Sequence, residues 1–265
     1  AAMEGLWQSE SAPMPFNLVA FPSQEQQRNR GQVQVPYALS LLVTHSLAGT
    51  VPGFDQLEEE AAQRIRNGIP AVQALQTLSS RPGDAAALAQ FRAHEKDLGY
   101  GFLVQRYAED VGTATAAQIS QAARDIIPQV SSIFWSFRLM VAMGLAMLAF
   151  FVLAVIFSLR NDIQHQRWFL KIAVWMIPVP FLACEFGWLV AELGRQPWTV
   201  YGILPTWMSA STHSVGYMIF SLAGFIGLYT VFIIIEMYLM LREIRQGPDQ
   251  PHDDTVPIPA GSPAG

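Results

Sequence analysis

The chain has 265 residues, a length that ordinarily means one or two globular domains. Charged residues are only 14% of it, against roughly 25% in a soluble protein, which excludes an ordinary soluble fold. A net charge of −5 with no basic tract excludes a nucleic-acid surface, and the single Cys184 excludes an intrachain disulfide framework, a cysteine zinc site and a cysteine-held iron–sulfur cluster.

The charges divide the chain. Residues 1–132 hold 22 of the 37 charged side chains, whereas 133–241 hold 9. The expected fold class is therefore an all-α membrane protein, with three transmembrane helices preceded by an external, largely helical loop region at 1–132. Ala1 to about Gln32 is polar and rich in Pro, Gln and Asn, and is expected to be extended or mobile. Val33-Gln34-Val35-Pro36 alternates like a short strand that ends at proline. Asp55 and the acids that follow it suit a helix N-terminus, Asn67-Gly68 is expected to close that helix, and Ile69 to Leu78 to form another. Asp84 is the predicted N-cap of a helix to about Leu98. Thr115 with Gln118 has the capping-box pattern, and Pro128 limits the helix after it.

Three apolar stretches follow, at about 133–159, 168–193 and 215–241. Each exceeds the ~20 residues a helix needs to cross ~30 Å of hydrocarbon. Pro178 and Pro180 are expected to kink the second. After Gly247 the chain is rich in proline, and 242–265 is expected to be a disordered cytoplasmic tail. Orientation follows from basic residues. Arg160, Arg167 and Lys171 flank the first connection and Arg242 and Arg245 follow the third span, while the 194–214 connection carries only Arg195. Loop one and the C-terminus are therefore expected in the cytoplasm, with 194–214 and 1–132 outside. The polar start has neither a signal peptide nor an initiator Met, so the chain is expected to be a piece of something longer, with an upstream span that delivers 1–132.

An ionisable group inside a bilayer costs at least ~2.5–3.5 kcal/mol, so each one needs a reason. Glu236 lies near a span end, where snorkelling to the interface is the plain explanation; for Arg138, five residues in from the outer end, snorkelling stands level with a functional role such as neutralising a haem propionate. Span two differs. Glu185, Trp188, Glu192 and Arg195 fall at i, i+3, i+7 and i+10, within a quarter-turn stripe. Such a face can carry protons, hold a cofactor or pair with another subunit; against this stands an interfacial Arg195–Glu192 ion pair beside a belt tryptophan. No histidine falls within the spans, so any haem held by this chain takes Met or Glu as ligand. Met140, beside Arg138, is one candidate among ten methionines.

At Gly194-Arg195-Gln196-Pro197-Trp198, followed by Val200-Tyr201-Gly202-Ile203-Leu204-Pro205-Thr206, the chain resembles subunit I of cytochrome bd-type quinol oxidases. The resemblance continues through Glu185-Phe186-Gly187-Trp188, Ala191-Glu192 and Phe137-Arg138-Leu139-Met140. It extends to Glu95 through Gly101, Arg64 through Gly68, and Gln34 through Leu39. It implies the C-terminal half of that subunit, including the long external quinol loop, in a bacterial cytoplasmic (inner) membrane. The family oxidises quinol at the outer face and reduces O2 to water through a low-spin haem b, a high-spin haem b and haem d, generating a proton-motive force.

Residue by residue, the resemblance makes Met140 the axial ligand of the low-spin haem and Arg138 its neighbour. Glu192 becomes the ligand of the high-spin haem b, Arg195 a residue close to the haem pair, Trp188 an electron-transfer aromatic, and Glu4 the loop glutamate of quinol oxidation. Glu185 is left as a possible member of a proton or polar track. The implied partners are the N-terminal half of subunit I, subunit II, small accessory subunits, quinol, O2 and the lipid bilayer. The family's histidine ligands, and the lysine that accompanies the loop glutamate, would lie before Ala1, so this piece is expected to be inactive alone. Two other classes compete: a non-enzymatic membrane receptor or scaffold, and a proton-coupled transporter that uses the Glu185/Glu192 face.

Overall fold

A computed structural model describes residues 1–9, 11–46, 48–160 and 163–247. Helices dominate, and three helical stretches are long and apolar enough to cross a membrane: Val130–Leu159, Arg167–Gly194 and Val215–Gln246. This is an all-α membrane protein with two small two-stranded sheets. Contacts divide the chain into a unit at Ala1–Ala210 and a second at Ser211–Gly265.

The first unit opens with a structure that the composition concealed. The residues expected to be extended or mobile form a 3-10 turn at Ala2–Glu4 and an antiparallel hairpin of β1 (Phe16–Ser23) and β2 (Arg28–Val35). Strand β2 covers 33–35 of the short strand expected at 33–36, starts five residues earlier and stops before Pro36. Long-range bonds hold this segment. Trp7 donates its indole N–H to Asn29 Oδ1 at 2.9 Å, and the Asn29 amide donates to the Gly5 carbonyl at 2.9 Å. Amides read from composition as solvent-loving therefore act as cross-links, which local pattern does not register.

After α1 (Ala38–Thr44), α2 runs unbroken through Phe54–Ser80, with Pro70 inside it. The two helices expected on either side of Asn67-Gly68 are thus one. Gly68 does not turn the chain; it lets another backbone come close. A Cβ there would collide with the Asp97 carbonyl and meet the Gly101 nitrogen at 2.7 Å, where α4 (Leu98–Leu103) crosses α2. Gly68→Ala is therefore expected to destabilise the protein by at least about 1 kcal/mol through overpacking, although alanine is the better helix former; a lower Tm checks it.

Asp84 caps α3 (Ala85–His94) by accepting from the Ala86 and Ala87 N–H groups. The helix stops at His94, short of the expected Leu98, and a 3-10 turn leads into α4. There Asp97 accepts from Arg64 at 2.7 Å and from Asn67 at 2.5 Å, and these bonds outweigh burial to hold its carboxyl below the ordinary range. The capping box is formed: Thr115 and Gln118 bond reciprocally at the start of α5 (Ala116–Arg124).

The core of the loop region gathers Ile65 and Val72 of α2, Leu103 of α4 and Ile119 of α5. It also takes in Trp198 of the GRQPW string, whose ring lies 5.0 Å from that of Tyr100. Burial, and then a hydrogen bond with Tyr201, push the Tyr100 hydroxyl up to about 12, so it stays neutral. A second hairpin, β3 (Trp198–Val200) with β4 (Leu204–Pro205), presents this tryptophan.

The first long helix, α6 (Val130–Leu159), starts three residues before the expected boundary. Gln24, in the turn of the first hairpin, accepts from the Val130 N–H at 3.3 Å and so meets one of the donors a helix start leaves unpaired. The second span is two helices, α7 (Arg167–Met176) and α8 (Val179–Arg195), broken at the expected Pro178. Helix α8 packs extensively along α6.

In the second unit, Ser214 caps α9 (Val215–Gln246) by accepting from the Tyr217 N–H at 3.4 Å. The helix passes the expected end at Leu241, so residues 242–246 are helical and not part of a disordered tail. The expectation for 248–265 lies outside the described residues.

Candidate functional site

Eight residues into α6, Arg138 turns inward from the apolar helix. Its guanidinium lies 3.7 Å from the centre of the Phe134 ring, 5.1 Å from that of Phe16 and 5.6 Å from that of Phe137. These faces attract the cation while keeping water from it. Arg138 Nη2 lies 3.0 Å from Glu4 Oε2, and both side chains are about nine-tenths buried. The guanidinium also donates to the carbonyls of Met3 and Asn17. Snorkelling does not explain Arg138; it is an anchor that fixes the Glu4 turn and β1 to the membrane helix. The resemblance assigns Glu4 and Arg138 to different tasks, one at quinol and one beside a haem; in the structure they are bonded to each other.

Burial dominates the Glu4 carboxyl and raises it above its ordinary value, while Arg138 and the Asn17 N–H partly offset that. A carboxyl so raised is a better proton acceptor than an exposed one once it is ionised.

Met140, two residues on from Arg138 and about 200° around the helix from it, is half-buried. Its sulfur faces Gly187 of α8: a Cβ on that glycine would come 3.2 Å from Sδ. The bare backbone of α8 thus leaves room for the thioether between the helices. The site also fits an additional acceptor or anion, because Arg138 Nε is buried without a hydrogen-bond partner. The thioether is a soft donor that suits a haem iron, and the unsatisfied guanidinium N–H suits an acidic group; the two leave α6 on different sides.

The stripe on α8 is intact but not enclosed. Glu185, Trp188 and Arg195 are exposed on the helix surface and Glu192 is half-buried. Arg195 and Glu192 form an i,i+3 ion pair at 2.5 Å. That pair is the interfacial arrangement weighed against a functional face. It does not account for Glu185, which lies deeper and has no ion-pair partner among the described residues. Near the end of α8, a mostly apolar cavity of about 280 Å³ is lined by Met3, Ile133, Val190, Arg195, Trp198 and Tyr201. It puts the turn that bears Glu4 and the end of α8 on one side of the helices.

Among the described residues, no group of three or more His, Cys, Asp or Glu side chains could hold a metal ion. Sequence reasoning missed Asn17, Phe16 and Phe134. No local signal marked them, because the strand that carries Phe16 and Asn17 is itself visible only in the structure.

Residues 1–248 match the family described as cytochrome bd terminal oxidase subunit I. The chain belongs to this family. It is 46% identical over 248 residues to cytochrome bd-II ubiquinol oxidase subunit 1 of Escherichia coli (strain K12), a match covering 94% of this chain and 48% of that protein. It is 28% identical over 259 residues to cytochrome bd ubiquinol oxidase subunit 1 of Bacillus subtilis (strain 168), covering 97% of this chain and 43% of the relative. The chain thus spans about half the length of these curated relatives.

Proposed function

We propose that this chain forms part of a respiratory terminal oxidase that oxidises quinol at the outer membrane face and reduces O2 to water, contributing to a proton-motive force. The observation that carries this reading is the buried Glu4–Arg138 pair, which ties a polar loop to a membrane helix two residues from Met140. Quinol oxidation releases protons and electrons together, and this arrangement fixes a proton acceptor to the helix that carries a haem ligand. Glu4 takes the proton from the quinol hydroxyl. Arg138 fixes the carboxylate and presents Nε to a haem acidic group. Met140 and Glu192 are the iron ligands this chain contributes, to the low-spin and high-spin haem b. Those haems and haem d supply the one-electron and O2 chemistry when bound.

Arg195, paired with Glu192, holds that carboxylate in place, and Trp188 on the same face is an aromatic stepping point for electrons. The exposed Glu185 supports a further covering of the α8 face, since a carboxylate facing lipid costs several kcal/mol. The N-terminal half of subunit I, subunit II and small accessory subunits are the expected neighbours. Arg160, Arg167, Lys171, Arg242 and Arg245 support a cytoplasmic first connection and C-terminus in a bacterial inner membrane, with 1–132 outside.

In the assembled oxidase, Glu192→Ala is expected to lower quinol-driven O2 uptake at least about tenfold while the low-spin haem b absorption stays. Uptake that survives the substitution would sink the Glu192 assignment.

A further inference from the structure

Glu4 and Arg138 are 134 residues apart, and neither is held rigidly by its own element. Glu4 sits on a three-residue turn, and Arg138 lies at the end of a long flexible side chain. What keeps them in register is Asn17, the second residue of β1, only 4% exposed. Its side-chain and backbone groups converge on this spot. Its side-chain amide donates to the Glu4 carbonyl at 2.8 Å, and its backbone N–H partly offsets the effect of burial on the Glu4 carboxyl. Its carbonyl accepts from Arg138, and its Oδ1 accepts from the Gln34 amide of β2 at 2.9 Å. The register of the hairpin shifts between Asn17 and Val19. Such irregularities re-aim a residue away from the ladder.

We propose that Asn17 is a positioning residue for the reaction assigned to Glu4 and Arg138, holding carboxylate and guanidinium at a fixed separation and orientation toward quinol. The inference rests on that assignment. The charged side chain that faces Glu4 is Arg138 from α6. Strand β1 and helix α1 bring no titratable side chain, and Arg28 and Arg30 of β2 are exposed and bonded to Gln26. Asn17 therefore controls the geometry of the pair from the strand side without adding charge.

The test uses the assembled oxidase, with quinol oxidation measured per low-spin haem b across pH. Asn17→Leu, similar in size and without polar groups, is expected to lower kcat about tenfold with KM changed little. Asn17→Asp keeps the acceptor for Gln34, removes the donor to Glu4 and adds a neighbouring carboxylate. It is expected to move the acid limb of the rate profile upward by about one pH unit. A purely structural role would reduce the amount of haem-bearing enzyme and leave the rate per haem and the pH profile alone; that result overturns the proposal. Should Asn17→Leu fail to assemble, Gln34→Ala on the exposed strand tests the same contact. It is expected to cost about threefold in kcat, and an unchanged rate overturns the proposal. Normal oxidation by Glu4→Gln sinks the functional assignment itself, whereas a slow Glu4→Gln beside an unshifted Asn17→Asp sinks only this inference.

Discussion

Met140→Leu is expected to abolish the low-spin haem b absorption of the assembled oxidase and to lower quinol-driven O2 uptake at least about 100-fold, since even changes one shell out from a metal ligand can cost that much. The substitution suits the question because leucine and methionine have similar volumes. Such swaps in packed sites usually cost less than about 1.5 kcal/mol, so the fold should survive. The glycine at 187 leaves the sulfur's position facing bare backbone across the α6–α8 contact, which favours accommodation of leucine. What is lost is the thioether donor. The check is a reduced-minus-oxidised spectrum alongside oxygen uptake, and a low-spin signal of normal size would remove Met140 from the iron.

Glu4→Gln is the complementary experiment. It is expected to slow quinol oxidation by about 10²- to 10⁴-fold, the range for loss of a general base, while haem absorption persists. The amide keeps an oxygen for Arg138 and for the Asn17 N–H, so the geometry is largely retained. The proton-accepting capacity is not. Burial raises the Glu4 carboxyl, and a protonated carboxyl cannot accept a proton. In the unsubstituted protein, kcat/KM should thus fall as pH drops through that raised value, above the ~4.3 of an ordinary glutamate. With glutamine this limb should disappear. Because removing one member of a buried ion pair strands the other, some loss of stability accompanies the change. Rate per haem separates the two effects, and a rate within twofold of normal would discard Glu4 as the acceptor.

Much of the fold was legible from local pattern. Long apolar runs marked the three spans, Pro178 marked the break between α7 and α8, and Thr115 with Gln118 announced the capping box. These features depend on residues close in sequence, where composition and spacing are the physical cause. The misreadings share the opposite origin. Asn67-Gly68 looks like a helix end locally, yet Gly68 is needed small because α4 crosses there. The amide-rich opening looks like loop, yet Asn17 and Asn29 each bond to a distant backbone. The GRQPW string identified the family, but only packing revealed that its Trp198 completes a soluble-side core with Tyr100.

The scarcity of charge between Ile133 and Leu241 was enough by itself to determine a membrane protein, because hydrocarbon excludes unpaired charge whatever the tertiary arrangement. The motifs were enough to determine the family. What only the tertiary structure decided is how the exceptional residues are used. Arg138 reads as an isolated cation in a span; folding brings Glu4 and Asn17 to it from more than 120 residues away and closes three phenylalanine rings around it. The worth of that cation lies in its burial and its partners, and neither is a property of the residues beside it in the chain.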